Sequence, residues 1–368
     1  MTELEALVKL NMAAGIGSIR LNRLLEYFNR PQDILEASPD KLVTVSGINY
    51  ELADKIINCR NEDLDKEFKQ ARDLGIKIIT QDNSEYPHNL KHISDPPIVL
   101  YIKGELKRED ALAIAIVGSR QASFYGLSFA QKFAADLSVY GITIVSGMAR
   151  GIDTYAHKGA LKSGGRTIAV IGSGFKHIYP AENLSLAEEI AEKGAVISEF
   201  SLDSKPLKQN FPRRNRLISG LSLGVLVAEA AKNSGALITS DFALEQGREV
   251  FAIPGKIDSA NSSGVNSLIQ QGAKPVTCVD DILEEFDERM FYKRRFSSER
   301  KQVFKADKIQ SLCARESLIY NNICREPVLF DEIISKSACG IADVFQALFG
   351  LEMKKLIKQL PGKKFIRS

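Results

Sequence analysis

At 368 residues with 44% hydrophobic content, the chain is long enough for two or three domains and apolar enough to bury real cores. A net charge of +3 announces no nucleic-acid partner, so any such role must rest on local basic clusters. Cys59, Cys278, Cys313, Cys324 and Cys339 form no CxxC pair and have no histidine at ligand spacing; this argues against a disulfide framework and a zinc site and points to reduced cytosolic thiols. The chain opens without a basic-then-apolar leader and has no run of about 18 apolar residues, so secretion and membrane spanning are not expected.

In chain order, residues 4–28 read as two short helices around Ala14-Gly15-Ile16-Gly17, and residues 42–57 repeat the pattern as Val45-Ser46-Gly47-Ile48 before Leu52-Ala53-Ile56-Ile57. Two such units within residues 1–70 have two readings: a helix-hairpin-helix pair whose glycine turns approach a phosphate, or a helical bundle whose glycines serve packing alone. Residues 76–104 read as a connector: a strand at Ile76–Thr80, turns at Tyr86-Pro87 and Asp95-Pro96-Pro97, then Val99-Leu100-Tyr101. Six strands are then expected, at 113–117, 142–145, 167–171, 195–197, 224–227 and 250–253, with helices between them. Continuous apolar strands alternating with helices predict a parallel, Rossmann-like α/β sheet covered on both faces, the core of a domain over 71–288. Residues 289–308 carry eight Lys and Arg among few apolar positions, as a linker does. Residues 309–368 then pattern as three helices and a hairpin, a winged helix.

The chemistry concentrates in the loops after these strands. Gly118-Ser119-Arg120, Ser146-Gly147-Met148-Ala149-Arg150-Gly151 and Gly172-Ser173-Gly174 all open on one sheet edge, where small residues let backbone N–H groups face a phosphate. No GxGxxG with a ribose-binding acid and no GxxxxGK[ST] occurs, so no nucleotide cofactor is expected. Lys208-Gln209-Asn210-Phe211-Pro212-Arg213-Arg214-Asn215-Arg216 adds cations and an aromatic ring at the same end. That combination suits single-stranded nucleic acid, with cations on phosphates and the ring stacked on an unpaired base.

These motifs, together with Ile178-Tyr179-Pro180, Leu217-Ile218-Ser219-Gly220-Leu221, Ser234-Gly235-Ala236-Leu237-Ile238-Thr239 and Phe251-Ala252-Ile253-Pro254-Gly255, resemble the DprA/Smf family across nearly the whole chain. The resemblance implies a homodimeric, non-enzymatic protein that holds and protects incoming single-stranded DNA and loads RecA recombinase during natural transformation. Carried over by position, Gly118, Ser119, Arg120, Ser146, Gly147, Met148 and Arg150 line the pocket, Lys208 and Phe211 contact backbone and base, and Ser234 and Gly235 close its floor. Arg213, Asn215 and Arg216 match the motif either as strand contacts or as loop-holding groups.

Two enzyme readings compete. Ser146, Asp153 and His157 hold residue types of a hydrolytic triad but not its spacing; the simpler expectation is that Asp153 and His157, four apart, hydrogen-bond each other and fasten the glycine loop. The stretch from Ser234 to Glu245 faintly resembles the PGGxGTxxE loop of phosphoribohydrolases, with the proline, second glycine and glutamate spacing missing. In the winged helix, Lys354, Lys355, Lys358, Lys363 and Lys364 suit either a duplex groove or a solvated, partner-binding face.

Overall fold

The computed structural model describes residues 1–13 and 15–286 and, in the C-terminal part, 312, 314–323, 328–337, 339–353, 356–360, 362 and 364–367. The basic linker expected at 289–308, and Ala14, Cys313, Cys324, Lys354, Lys355 and Lys363, lie outside the described residues, as does the Lys358 side chain. Two units are present, Met1–Met290 and Phe291–Ser368.

The first unit begins with six helices: α1 (Glu3–Met12), α2 (Ser18–Phe28), α3 (Pro31–Glu36), α4 (Pro39–Leu42), α5 (Tyr50–Asn58) and α6 (Leu64–Asp73). Local sequence fixes their starts. Thr2 and Glu5 close a capping box on α1, Asn49 caps the Leu52 N–H of α5, and Asp63 caps the Lys66 N–H of α6. The two hairpin turns need Gly15 and Gly47, which sit at φ +89° and +88°. Exposed arginines of α2 serve both turns: Arg20 donates to the Gly15 carbonyl at 2.8 Å and Arg23 to that of Ser46 at 3.3 Å.

A nine-stranded sheet follows, with strands β1 (Ile76–Thr80), β2 (Val99–Gly104), β3 (Ala113–Gly118), β4 (Thr143–Ser146), β5 (Thr167–Val170), β6 (Ala195–Ser198), β7 (Gly224–Glu229), β8 (Glu249–Ala252) and β9 (Lys274–Pro275). Its order is β1-β2-β6-β5-β4-β3-β7-β8-β9. From β6 to β9 every pairing is parallel, in line with the apolar runs. Residues 76–104 correct the expectation of a connector: β2 lies antiparallel on β6, with Tyr101 opposite Ser198, and β1 lies antiparallel on β2. Together they cover what would otherwise be the open edge of β6. The helices used below are α7 (His88–Lys91), α8 (Phe124–Val139), α9 (Ile152–Lys162), α10 (Leu184–Lys193), α11 (Asn210–Leu221), α12 (Gly235–Glu245), α13 (Ser263–Gln270) and α14 (Asp280–Leu283).

Alternation along the strands sends neighbouring residues to opposite faces. Val99, Tyr101, Ala169, Ile171 and Val196 pack in one core with the apolar residues of α1–α6 and α10, such as Leu10, Leu24 and Ile56. Leu100, Ile102, Ile168, Val170 and Ile197 pack on the other side with α11, α12 and α13. The N-terminal helices therefore form a layer on the sheet and share its core.

In the second unit, α15 (Ala314–Asn321), α16 (Phe330–Ser337) and α17 (Ile341–Met353) gather around Ile319, Ile333, Val344, Leu348 and Leu351. The strands β10 (Val328–Leu329), β11 (Ile357–Leu360) and β12 (Lys364–Arg367) form a three-stranded antiparallel sheet, completing the winged helix.

Candidate nucleic-acid interface

Chain connections run from β3 through β4 and β5 to β6 in one direction and through β7 to β9 in the other, so the sheet has a switch point between β3 and β7. Loops diverge there and leave a crevice at the carboxyl strand ends. A cleft of about 820 Å³ occupies it, walled by Gly118, Ser119 and Arg120 after β3, by Lys208 and Phe211 at the start of α11, and by Ser234 and Gly235 at the start of α12. Seven residues expected at the pocket thus converge from three separate stretches of sequence.

An aromatic and cationic row crosses the cleft. The Arg120 guanidinium carbon lies 5.1 Å from the Phe211 ring centre, Phe211 and Tyr179 are 6.0 Å apart between centres, and the Arg150 guanidinium carbon is 5.9 Å from the Tyr179 ring. Gly172, at the end of β5, makes room for the row: a Cβ there would stand 3.0 Å from Phe211 Cδ1. Arg150 is exposed and anchored on Glu182 by two hydrogen bonds of 2.7 and 2.8 Å. Arg120 and Lys208 are exposed, and among the described residues neither has a carboxylate within ion-pair distance.

The cleft rests on Arg214, which sequence reading passed over as a site residue. Its buried guanidinium donates to the carbonyls of Gly147 and Val170, tying together the loops after β4 and β5, and its Nε donates to Asn215 Oδ1 at 3.2 Å. Gly147 is required beneath it, because a Cβ there would lie 2.6 Å from an Arg214 nitrogen. Burial pushes the Arg214 pKa down to about 10, with Asp153 opposing the shift; burial likewise raises the Asp153 carboxyl against the pull of Arg214. The signal for Arg214 was present: Phe211, Arg214, Asn215 and Ile218 line the cleft at i, i+3, i+4 and i+7, one face of α11.

Arg213 and Arg216 occupy the other side of α11. Arg216 is 3% exposed and pairs with Glu199 at 2.5 Å and Asp95 at 2.9 Å, with Ser18 Oγ 3.1 Å away. Arg213 pairs with Glu199 at 3.1 Å and lies over the Phe200 ring. Of their two sequence readings the geometry takes the loop-holding one, since charges engaged in a buried network are not free for phosphates. Asn215 does reach the cleft and donates to the Gly235 carbonyl at 3.3 Å. Ser146 and Met148 are also turned inward: the Ser146 hydroxyl donates to the Ile116 carbonyl at 2.6 Å, and Met148 is buried at φ +60°. Gly147 borders a smaller hollow with Arg120 and Arg150.

The expected Asp153–His157 hydrogen bond is replaced by two separate ones. Asp153 accepts the Ala149 N–H at 3.2 Å and does hold the glycine loop, whereas His157 Nδ1 bonds Thr167 Oγ1 at 2.7 Å. The Thr167 hydroxyl donates to the Ile144 carbonyl, so His157 carries its proton on Nδ1. With Ser146 and His157 facing different partners, the triad residues do not assemble. Glu245 of the phosphoribohydrolase-like stretch ends α12, whose N-terminus is the part at the cleft, about 15 Å away along the axis.

Helix α8, which in a dinucleotide fold would offer its N-terminus to a pyrophosphate, is already occupied. The Glu229 carboxylate accepts the Ser123 N–H at 3.1 Å and the Ser123 hydroxyl at 2.7 Å, and a Cβ on Gly126 would fall 2.0 Å from Glu229 Oε2. An internal anion satisfies this terminus, which accounts physically for the missing GxGxxG fingerprint. The remaining helix starts at the cleft are those of α11 and α12.

In the winged helix, the exposed face of α17 carries Ile341, Phe345 and Phe349 rather than cations. No helix among the described residues is long and apolar enough to cross a membrane.

The profile of the family described as DNA recombination-mediator protein A matches residues 77–287, a SAM-like helix-hairpin-helix tandem matches 8–62, and a DprA winged helix domain matches 305–363. The chain is 34% identical to Protein Smf of Synechocystis over 96% of both chains. It is 40% identical to the DNA processing protein DprA of Streptococcus pneumoniae, spanning 74% of this chain and 95% of that one. The crystal structure of the pneumococcal DprA superposes with a TM-score of 0.68 at 38% identity, covering 78% of this chain and 99% of that one. The Helicobacter pylori DNA processing protein A, from a study of its single-stranded DNA binding mode, gives a TM-score of 0.52 at 30% identity, over 57% and 98% of the respective chains. With its three modules matched in order, the chain belongs to the DNA recombination-mediator protein A family, the DprA/Smf proteins.

Proposed function

We propose that the switch-point cleft binds single-stranded DNA, and that the protein, as a cytoplasmic homodimer, protects an incoming strand and delivers it to RecA recombinase during natural transformation. The observation that carries the reading is the row Arg120, Phe211, Tyr179 and Arg150, open to solvent beside Lys208. Cations take phosphates while rings stack on bases, a combination tolerant of sequence and suited to unpaired strands. Family membership and the strand-binding mode studied in the H. pylori relative support it. In this reading Arg120, Lys208 and Arg150 contact the backbone, Phe211 stacks on a base, and Gly118, Ser119, Ser234 and Gly235 let the strand approach the main chain.

Fluorescence anisotropy with labelled oligodeoxythymidylate over a salt series tests it. Arg120→Ala and Lys208→Ala should each weaken binding and reduce the slope of log affinity against log salt by about 0.7, the value for one phosphate contact on a single strand. Unchanged affinity and slope in both variants would remove the cleft from DNA binding.

A further inference from the structure

A second cavity, of about 570 Å³, opens at the other end of the sheet. Its wall includes Leu221, the last residue of α11, whereas Phe211 at the start of the same helix lines the DNA cleft. Twelve helical residues separate the two sites by about 18 Å. The remaining wall comes from the segment around α7 and from the loop between β2 and β3.

The charge balance in this cavity is one-sided. Its two carboxylates are neutralised: Glu85 pairs with Lys77, and buried Asp110 takes Arg166 at 2.8 Å, the Thr143 hydroxyl at 2.8 Å and the Lys107 N–H at 2.7 Å. Lys91, Lys107 and Arg108 are exposed around it. Among the described residues Lys91 and Arg108 have no carboxylate within ion-pair distance, while Lys107 stands 3.5 Å from the exposed Glu105. Behind the wall, the Arg248 guanidinium donates to the Asn89 carbonyl at 3.1 Å, and its buried Nε has no hydrogen-bond partner. A further positive charge is thus held close by without an acid to cancel it. The rest of the lining is apolar, from Tyr86, Leu106, Ile168 and Leu221, and Lys91 Nζ sits 5.8 Å from the Tyr86 ring centre. Asn89 braces the floor through the Ala111 and Leu221 carbonyls at 2.8 and 3.1 Å.

We propose that this cavity is a separate binding site for a nucleotide, its phosphate held by Lys91, Lys107 and Arg108 and its base or sugar set against the apolar wall. Uncancelled cations around a concave, partly apolar pocket of ligand size match a molecule that is anionic at one end and flat at the other. Both a free nucleotide and the terminal nucleotide of a strand present that chemistry.

The test is calorimetric titration of the full chain carrying Arg120→Ala and Phe211→Ala, which disables the DNA cleft, with dAMP and with a short 5′-phosphorylated oligodeoxythymidylate as probes. At least one probe should bind this chain, and adding Lys91→Ala with Arg108→Ala should weaken that binding about tenfold, as expected for loss of a charge-assisted contact. Binding of dAMP supports the site with a free nucleotide as its ligand; binding of the oligonucleotide alone supports it with a strand end. Failure of both probes to bind, or binding indifferent to the Lys91 and Arg108 substitutions, overturns the proposal. Arg108→Glu alone, at an exposed position, gives the same readout should the double substitution disturb folding. With the cleft intact, Lys91→Ala and Arg108→Ala should leave cleft binding of a long unphosphorylated oligonucleotide unchanged, so failure of this site and failure of the DNA cleft are told apart.

Discussion

At the scale of single residues, the cleft is held by charges that never reach its ligand. Arg214 bridges the loops after β4 and β5, and its field, together with burial, drives the His157 imidazole pKa down to about 3, burial being the larger cause. An unfolded histidine takes its proton near pH 6.5, so between about 6.5 and 3 the unfolded chain binds a proton that the folded chain refuses. The stability held by neutral His157 is complete above about pH 6.5 and is lost as pH falls through that window. Asp153 acts in the opposite sense, because its raised carboxyl is protonated more readily in the folded chain. His157→Gln isolates the histidine: it should flatten the decline of melting temperature between about pH 7 and pH 5 relative to the parent chain. An equally steep decline in the variant would place the acid sensitivity elsewhere.

At the scale of elements, helix α11 divides its basic residues between two tasks. Its face at 211, 214, 215 and 218 builds the cleft, and Arg213 and Arg216 point into the Glu199 and Asp95 network that joins the sheet to Ser18 of α2. Arg213→Ala should therefore leave oligonucleotide affinity within about twofold of the parent, whereas Phe211→Ala should lose a stacking contribution of about 1–3 kcal/mol. Comparable losses from the two, measured by anisotropy, would contradict the division. The helical face was legible in the sequence through its 3.6-residue period, but a run holding four arginines and asparagines in succession does not say which face looks inward. That depended on where Glu199, over ten residues upstream, came to lie.

At the scale of the molecule, the N-terminal helices and the sheet share one hydrophobic core, with Leu10, Leu24 and Ile56 packed among Val99, Tyr101 and Val196. A fragment ending at residue 290 should accordingly unfold in urea in a single transition, with far-UV circular dichroism and tyrosine fluorescence coinciding. Two resolved transitions would mean that the helical layer and the sheet are separate folding units. The antiparallel edge belongs to this scale as well. Val99-Leu100-Tyr101 was readable as a strand, but its place against β6 follows from the need to cover that edge, a demand arising only once the sheet exists.

The sequence by itself determined the local and periodic features of this protein: the apolar strands, the glycine turns, the helix caps, the winged-helix pattern and the order of family motifs. These depend on interactions between near neighbours, or on a period visible along the chain. Only the tertiary structure decided which polar groups face outward. It set Arg120, Arg150, Phe211 and Tyr179 in one open row, turned Ser146, Met148 and Arg216 inward, and placed the Glu229 carboxylate on the helix start where a nucleotide phosphate would otherwise sit. The reason is that a buried charge or hydroxyl takes its role from its partner, and here those partners lie on distant strands, brought near only by the sheet.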